Sequence, residues 1–255
     1  MSAPTRIGEP LTGCRIGIAD DPVPSVRDVE TADRSVVADA VGTLLDAAGA
    51  DVVRLSAVRG DRAVPAAVRR SAHHVATGRI DAVLFLSADG VRSWWETVER
   101  LGLDDAVRDR ASSSRLLLVT PSFEAARPLG GVGLHAAVAE GALPEELVRT
   151  AIGFFTEAAP AQRTDAGELV VRSGGVLLDD RFLPLSAGAT ELLEALFLAE
   201  GRVLSREELG RLLPGGRRSA RAVEVAVARL REALGGAELV QTVVKRGYRL
   251  AVADR

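Results

Sequence analysis

Apolar residues in the first 158 positions alternate between short continuous runs and stretches with helical spacing. The short runs predict buried parallel strands; they are RIGIA (15–19), DVVRLSA (51–57), DAVLFLSA (81–88) and SRLLLVT (114–120). The stretches with helical spacing predict amphipathic helices; they cover residues 35–50, 65–78, 90–103 and 144–158. Regular alternation of strands and helices favours a parallel sheet that is covered by helices on both faces.

The alternation stops near residue 158, and this change divides the chain. We predict a disordered tail over residues 1–10 and an α/β domain, a flavodoxin-like three-layer parallel sheet, over residues 11–158. Residues 159–166 are small and polar without periodicity, so they are predicted to be a linker. A second domain is predicted over residues 167–255.

The second domain has a different order of elements. Residues 168–186 predict three short antiparallel strands, separated by a Gly-Gly pair and an Asp-Asp pair. Ser186, Ser205 and Ser219 each precede a predicted helix, and Ser205 is followed three residues later by a glutamate, as in a capping box. A terminal hairpin places the sequence KRG (245–247) at its turn. Three helices followed by a hairpin predict an α+β winged helix-turn-helix domain.

Composition places the chain among ordinary globular proteins, since 47% of its 255 residues are apolar and 26% are charged. Neither a membrane-spanning run nor a signal peptide is predicted, so the expected location is the cytoplasm and no membrane partner is expected. The single cysteine, Cys14, excludes an internal disulfide and is predicted to be a small buried residue at the edge of a strand.

The net charge of −3 conceals a basic C-terminal segment. Residues 201–255 carry 12 basic and six acidic side chains, and they include the only lysine, Lys245, and the only tyrosine, Tyr248. A localised excess of cations on an acidic protein indicates an anion-binding face. Tyr248 is predicted to pack its ring beneath the hairpin rather than to stack on a base.

The third predicted helix of this domain has one apolar and one basic face. At 100° per residue its core stripe consists of Val223, Val227, Leu230 and Leu234. The opposite face carries the hydrogen-bond donors Arg218, Arg221 and Arg229, with the smaller residues Ala222 and Val225 between them. Such a face fits the major groove of DNA, although it would also suit a solvated charged surface. The terminal hairpin, called the wing from here on, follows this helix and carries Lys245 and Arg246 at its tip. These two cations favour contact with nucleic acid.

Residues 167–252 resemble the OmpR/PhoB-type DNA-binding domain of bacterial response regulators. The resemblance rests on GRVLSREEL (201–209), RAVEVAVARLREALG (221–235) and VQTVVKRGYRL (240–250). It implies binding to double-stranded promoter DNA as a homodimer on repeated half-sites. It also implies contact with RNA polymerase through the loop between the second and third helices, PGGRR (214–218), which is short in this sequence.

The resemblance also implies roles for individual residues. Arg221 and Arg231 match phosphate-contacting arginines, Arg229 matches an arginine that reaches bases, and Thr242 matches a threonine that contacts the DNA backbone. The sequence departs from the pattern in two places: Ala226 stands where histidine is frequent, and Val244 where arginine is frequent. The second departure weakens the expectation of minor-groove contact by the wing.

A phosphorylated receiver would be the usual N-terminal partner of such a domain. Asp20-Asp21 follow the first strand like a receiver's acidic pair, but we predict that they lie in a solvated turn. Leu86 and Ser87 stand where a phosphoacceptor aspartate is needed, and no lysine precedes Lys245. An orphan response regulator that is not phosphorylated therefore remains one alternative.

Residues 45–105 resemble one lobe of uroporphyrinogen-III synthase. The resemblance rests on LLDAAGADVVRLSAVR (44–59) and TGRIDAVLFLSADGVRSWWETVERLGL (77–103). Fusion of such a module to an OmpR/PhoB-type domain is typical of actinobacteria. The parent family has two lobes and a cleft tyrosine, whereas this chain has room for one lobe and has tyrosine only at position 248. Catalysis is therefore not expected, and a synthase-type enzyme with a DNA-binding appendage is the other alternative.

Ligand sensing by the N-terminal domain is still compatible with the sequence, because open α/β sheets bind ligands at the carboxyl ends of strands. Two strand ends supply the candidate ligand-binding residues, which are Ser87, Ala88, Asp89, Gly90, Thr120 and Ser122. Asp89 is alternatively predicted to cap a helix. Trp94 and Trp95 are expected to be one core and one surface ring, or a dimer face.

The expected function is thus that of a sequence-specific transcriptional regulator with a non-catalytic N-terminal lobe that regulates, senses a ligand or dimerises. No cofactor is predicted. No metal site is predicted either, because the three histidines lack the spacing of metal ligands.

Overall fold

The computed structural model describes residues 5–6, 9–19, 30–57, 63–213 and 218–253. The chain forms two compact units. One spans Glu9–Ala159, and the other combines the segment from Pro160 onward with the N-terminal strand β1 (Thr5–Arg6).

The first unit is a parallel α/β domain. Its strands are β2 (Arg15–Ala19), β3 (Asp51–Leu55), β4 (Ala82–Phe85), β5 (Leu117–Thr120) and β6 (Ala137–Val138). Its helices are α1 (Glu30–Ala47), α2 (Ala66–Ala76), α3 (Ala88–Arg100), α4 (Asp104–Ser112), α5 (Phe123–Gly131) and α6 (Pro144–Gly153). The strand order β3-β2-β4-β5-β6 is wholly parallel and is the order of flavodoxin-like sheets, so the predicted fold class is confirmed.

Both faces of this sheet are buried, as its continuous apolar strands require. Along β4, Ala82 and Leu84 face the core beneath α1 and α6, while Val83 and Phe85 face the core that contains residues of α2 to α5. Cys14 lies immediately before β2 and is buried in the first of these cores, as predicted.

Both tryptophans belong to the second core, so the expectation of a surface ring or a dimer face is wrong. Trp94 packs edge-on against Phe85 with ring centroids 5.3 Å apart. Trp95 is only 5% exposed, and its ring faces the Arg108 guanidinium at 4.9 Å. Helix α4, which supplies Arg108, has little apolar periodicity of its own, and the sequence pattern did not predict it.

The C-terminal unit begins with an antiparallel sheet. Its strands are β1 and β7 (Ala161–Thr164), β8 (Gly167–Arg172), β9 (Gly175–Leu178) and β10 (Arg181–Pro184), in the order β1-β10-β9-β8-β7. The helices α7 (Ala187–Leu198), α8 (Arg206–Leu212) and α9 (Ala220–Ala233) follow, and the hairpin β11 (Val240–Val243) and β12 (Gly247–Leu250) closes the unit.

The two outer strands of this sheet differ from the predicted domain boundaries. Strand β7 lies within residues 159–166, predicted as linker, and β1 lies within the predicted disordered tail. Both are held by backbone pairing, β7 to β8 and β1 to β10. Apolar alternation could not reveal β7, because its anchor is polar: Gln162 Nε2 donates to the carbonyl of Phe197 at 2.6 Å.

Candidate nucleic-acid interface

Helix α9 is fixed by a serine cap and an apolar stripe. Ser219 Oγ accepts a hydrogen bond from the Ala222 amide at 3.3 Å. As predicted, the buried stripe consists of Val223, Val227, Leu230 and Leu234, packed in one core with residues of α7 and α8. The opposite side of α9 is therefore turned outward.

The outward face of α9 lines an open groove with the start of α7. From α9 and the residues before it, the groove takes Arg218, Arg221, Val225 and Arg229, which are all exposed. Ala222 and Ala226 lie between them, so only the arginine side chains project far from the helix on this face. Among the described residues no carboxylate lies within ion-pair distance of Arg221 or Arg229, whose guanidinium donors therefore face solvent. The structure thus brings together four of the residues predicted to contact DNA.

The wing presents three exposed residues at its tip, Val244, Lys245 and Arg246. The turn is closed by the Arg246 amide, which donates to the Val243 carbonyl at 2.9 Å, and Lys245 has φ 60°. Gly247 follows with φ 145°, and a Cβ there would lie 2.0 Å from the Leu204 carbonyl oxygen. Glycine is needed at this position because the wing passes directly against the segment before α8.

That contact pairs the wing with the body of the domain. The Leu204 amide donates to the Tyr248 carbonyl at 2.8 Å, and the Tyr248 amide donates to the Leu204 carbonyl at 2.9 Å. Tyr248 is 5% exposed and belongs to the core, as the sequence predicted. The wing is consequently a strand pair anchored on one side, with only its tip and outer face in solvent.

Arg231 and Thr242, predicted to contact the DNA backbone, lie against each other. Arg231 donates through Nε and Nη2 to the Val240 carbonyl at 3.1 and 2.7 Å. Its Nη2 also donates to Thr242 Oγ1 at 2.8 Å. Thr242 is exposed, whereas Arg231 is half-buried. The guanidinium of Arg231 is thus engaged within the domain, unlike those of Arg221 and Arg229.

Helix α8 carries an arginine that sequence reasoning missed. Arg206 Nε donates to Glu224 Oε1 at 2.8 Å, and its guanidinium lies 5.3 Å from the centroid of the Tyr248 ring. The hydrogen bond to Glu224 is the main cause that raises the pKa of Arg206 above its ordinary value. The partners of Arg206 lie 18 and 42 positions away in the sequence, so no local pattern could have identified it.

The cap of α8 is the predicted capping box. Ser205 Oγ accepts from the Glu208 amide at 3.1 Å, and a Glu208 carboxylate oxygen accepts from the Ser205 amide at 2.8 Å. This bond from the Ser205 backbone is the first cause that lowers the pKa of Glu208. The box fixes the start of α8 at the point where Leu204 pairs with the wing.

These features match a known family. Residues 180–250 match the family model described as "Transcriptional regulatory protein, C terminal". The match covers α7 to α9 and the wing, and it confirms the predicted winged-helix class of the domain. This part of the chain is thus similar to the C-terminal part of transcriptional regulatory proteins.

Solved structures of DNA-binding domains also match the chain over somewhat more than a third of its length. The DNA-binding domain of CpxR from E. coli is 27% identical, with 38% of this chain and all of that chain covered and a TM-score of 0.32. The Klebsiella pneumoniae RstA DNA-binding domain in complex with the RstA box is 25% identical, with 36% and 96% covered and a TM-score of 0.31. The DNA-binding domain of E. coli CadC is 28% identical, with 36% and 96% covered and a TM-score of 0.31. No curated protein sequence matches the chain.

The candidate ligand residues of the N-terminal domain lie at the ends of β4 and β5, which are neighbours in the sheet. Ser87 Oγ accepts from the Gly90 amide at 3.0 Å and is the cap of α3. Asp89 was the predicted cap, but it lies in the first turn and forms an ion pair with Arg92. The prediction was wrong because serine, one position before the helix, places its oxygen closer to the free amides.

The second strand end is also occupied by internal hydrogen bonds. Ser122 Oγ accepts from the Ala125 amide at 3.2 Å and caps α5. Thr120 is buried, and its hydroxyl donates to the Ser122 carbonyl at 3.3 Å. Helix α5 itself was not predicted, because Pro128 and two glycines make its sequence typical of a loop. Both candidate serines thus bond to the first turn of their own helix.

Other candidate groups on this domain do not converge. Within the ranges that the structure describes, no group of three or more His, Cys, Asp or Glu side chains could hold a metal ion. His73 and His135 are exposed. Burial, followed by the nearby charge of Arg79, lowers the pKa of the half-buried His74.

Two sequence predictions, for Asp20-Asp21 and for most of the PGGRR loop, concern residues outside those that the structure describes. None of the described helices has both the length and the apolar character needed to span a membrane.

Proposed function

We propose that this chain is a sequence-specific transcriptional regulator that binds double-stranded promoter DNA through its C-terminal domain. The observation that carries this proposal is the outward face of α9, where Arg221 and Arg229 extend from a surface that otherwise consists of Ala222, Val225 and Ala226. A helix of this width fits the major groove, and arginine forms paired hydrogen bonds with guanine. The cationic wing tip beside it adds phosphate-binding donors.

The proposed contacts divide into base readout and backbone contacts. Arg229 and Val225 lie at the centre of the face and are assigned to base edges. Phosphate contacts are assigned to the residues at the margins of the face and on the wing, which are Arg218, Arg221, Thr242, Lys245 and Arg246. These positions are exposed, which is what direct contact requires.

We assign a non-catalytic role in regulation, ligand sensing or dimerisation to the N-terminal domain. A small-molecule ligand would bind at the strand ends that carry Ser87 and Ser122, since sheets of this order bind ligands at their carboxyl edge. A homodimer on repeated half-sites and contact with RNA polymerase are further parts of the proposal, as is a cytoplasmic location.

The proposal is tested by selection from random duplexes with the full-length protein. The enriched sequence should bind roughly a thousandfold or more tightly than random DNA at physiological salt. Equal affinity for both would reject sequence-specific binding. Occupancy mapping across a genome that encodes the chain would then identify its promoters.

Two alternative predictions have direct tests of their own. The synthase-like resemblance of residues 45–105 predicts cyclisation of a linear tetrapyrrole, which an activity assay would detect. A functioning receiver predicts a phosphoryl adduct after treatment with acetyl phosphate, which intact mass would detect. We expect no phosphoryl adduct, because Leu86 and Ser87 stand where a phosphoacceptor aspartate is needed. We expect no cyclised product, because the chain has room for one lobe and has tyrosine only at position 248.

A further inference from the structure

Arg231 connects the end of α9 to the first wing strand. Its two bonds to the Val240 carbonyl and its bond to Thr242 Oγ1 span 2.7 to 3.1 Å. One planar guanidinium reaches both acceptor atoms through three hydrogen bonds, an arrangement that a lysine ammonium could not reproduce. The side chain is half-buried, and its Nε and Nη2 donors are used within the domain rather than left for DNA.

The bond to Thr242 determines what the threonine hydroxyl can do. A hydroxyl has one hydrogen to donate and can also accept. Because the Arg231 guanidinium occupies an acceptor position of Oγ1, the hydroxyl hydrogen is directed away from Arg231. Thr242 is exposed, so its hydroxyl can donate to a phosphate oxygen.

The ring of Tyr248, on the second wing strand, contacts the guanidinium groups of Arg231 and Arg206. The guanidinium of Arg231 lies 5.9 Å from the ring centroid, and that of Arg206 lies 5.3 Å from it. Cations at such distances from an aromatic ring are attracted to it. Arg206 is in turn bonded to Glu224 of α9. Both wing strands are thereby connected to α9 through the side chains of Arg231, Tyr248 and Arg206.

We propose that Arg231 is a positioning residue: it sets the angle of the wing relative to α9 and orients the Thr242 hydroxyl, and it does not contact phosphate. This inference rests on the proposed DNA binding. It replaces the phosphate-contacting role that the family resemblance implies for this arginine. Arg231 therefore contributes to affinity only through Thr242, Lys245 and Arg246.

A comparison of two backgrounds tests the proposal. In the otherwise wild-type protein, Arg231→Ala should weaken specific binding about tenfold, and Arg231→Lys should not restore it. In a Thr242→Val, Lys245→Ala, Arg246→Ala background, the same Arg231→Ala change should alter affinity less than about twofold, because no wing contact remains to be positioned. A direct phosphate contact would instead lower the salt slope by about 0.9 in both backgrounds and would be largely restored by lysine.

A measurement without DNA tests the geometry independently. Tyr248 is the only tyrosine, so labelling with 3-fluorotyrosine places a single ¹⁹F reporter on the ring. Arg231→Ala and Arg206→Ala should each shift its resonance in the folded protein, whereas Arg221→Ala on the outward face of α9 should not. An unchanged resonance in Arg231→Ala would overturn the proposal. Absence of specific DNA binding in the wild type would reject the proposed function instead, and the ¹⁹F result would still decide whether Arg231 holds the wing.

Discussion

The outward face of α9 and the strand ends of β4 and β5 both combine polar side chains with a helix N-terminus, but they use them differently. At the strand ends, Ser87 and Ser122 bond to the first turn of the following helix, and Asp89 pairs with Arg92. On α9, the helix cap is Ser219, and Arg221 and Arg229 take no part in it. Neither arginine has a carboxylate partner among the described residues, since the nearby Glu224 pairs with Arg206. The face of α9 therefore presents side-chain donors that the fold itself does not use, whereas the strand-end serine hydroxyls are engaged within the fold.

The surroundings of the polar groups also differ between the face of α9 and the strand ends. Small residues separate the arginines of α9, so that a wide duplex could approach their guanidinium groups. Thr120, by contrast, is fully buried at the end of β5. The comparison predicts that substitutions on α9 and the wing change DNA affinity, whereas substitutions at the strand ends change stability.

The largest effect is expected for Arg229→Ala. Loss of a base-reading arginine should cost about 1–3 kcal/mol on the selected sequence and much less on random DNA. The helix should persist, because alanine is a strong helix former and Arg229 lies off the buried stripe. The measurement is binding to both duplexes, with circular dichroism to monitor the helix.

Arg149→Ala on α6 is the matched control for this substitution, since Arg149 is another exposed helical arginine, in the other unit. It should leave binding to both duplexes unchanged. Equal losses on the two duplexes for Arg229→Ala would mean that α9 does not read sequence.

Ser87→Ala should lower the stability of the N-terminal domain by about 1 kcal/mol, because it removes the cap bond to the Gly90 amide. DNA affinity should not change. Denaturant unfolding followed by tryptophan fluorescence suits this measurement, since Trp94 and Trp95 both lie on the helix that loses its cap. Ser87→Asp should restore stability, and a Ser87→Ala protein as stable as the wild type would show that the hydroxyl serves another purpose.

Lys245→Ala should weaken binding to selected and random DNA to a similar extent. The lost contact is with phosphate, so the slope of log affinity against log salt should fall by about 0.9. Affinities over a salt series measure this directly. A loss confined to the selected duplex would place Lys245 on a base edge and would make the wing part of the reading surface.

The smallest effect concerns Glu208 and pH. Its folded pKa is lowered by bonds from Ser205, so the stabilisation is complete above the unfolded pKa and is lost as pH falls through the folded pKa. Between about pH 6 and pH 3, the wild type should therefore lose more stability than Glu208→Gln. Thermal unfolding of both proteins across this range would show parallel curves if the capping box contributed nothing.

Local sequence patterns were sufficient for much of this fold. The period of apolar residues predicted β2, β4 and the buried stripe of α9, because these elements bury whole faces and each face must be apolar. The capping box at Ser205 was predictable because its two partners are three residues apart. The exposed arginines of α9 followed from the same helical geometry.

Tertiary structure decided the features whose partners are distant along the chain. The sequence could not show that Arg231 bonds to Val240 and Thr242 while Arg229, two residues earlier, faces outward without such bonds. Nor could it show that polar β7 joins a sheet, since that strand is stabilised by the ladder of β8. Periodicity records which side of an element is buried, but the partner of each polar group depends on how separate elements pack, and only the folded chain specifies that.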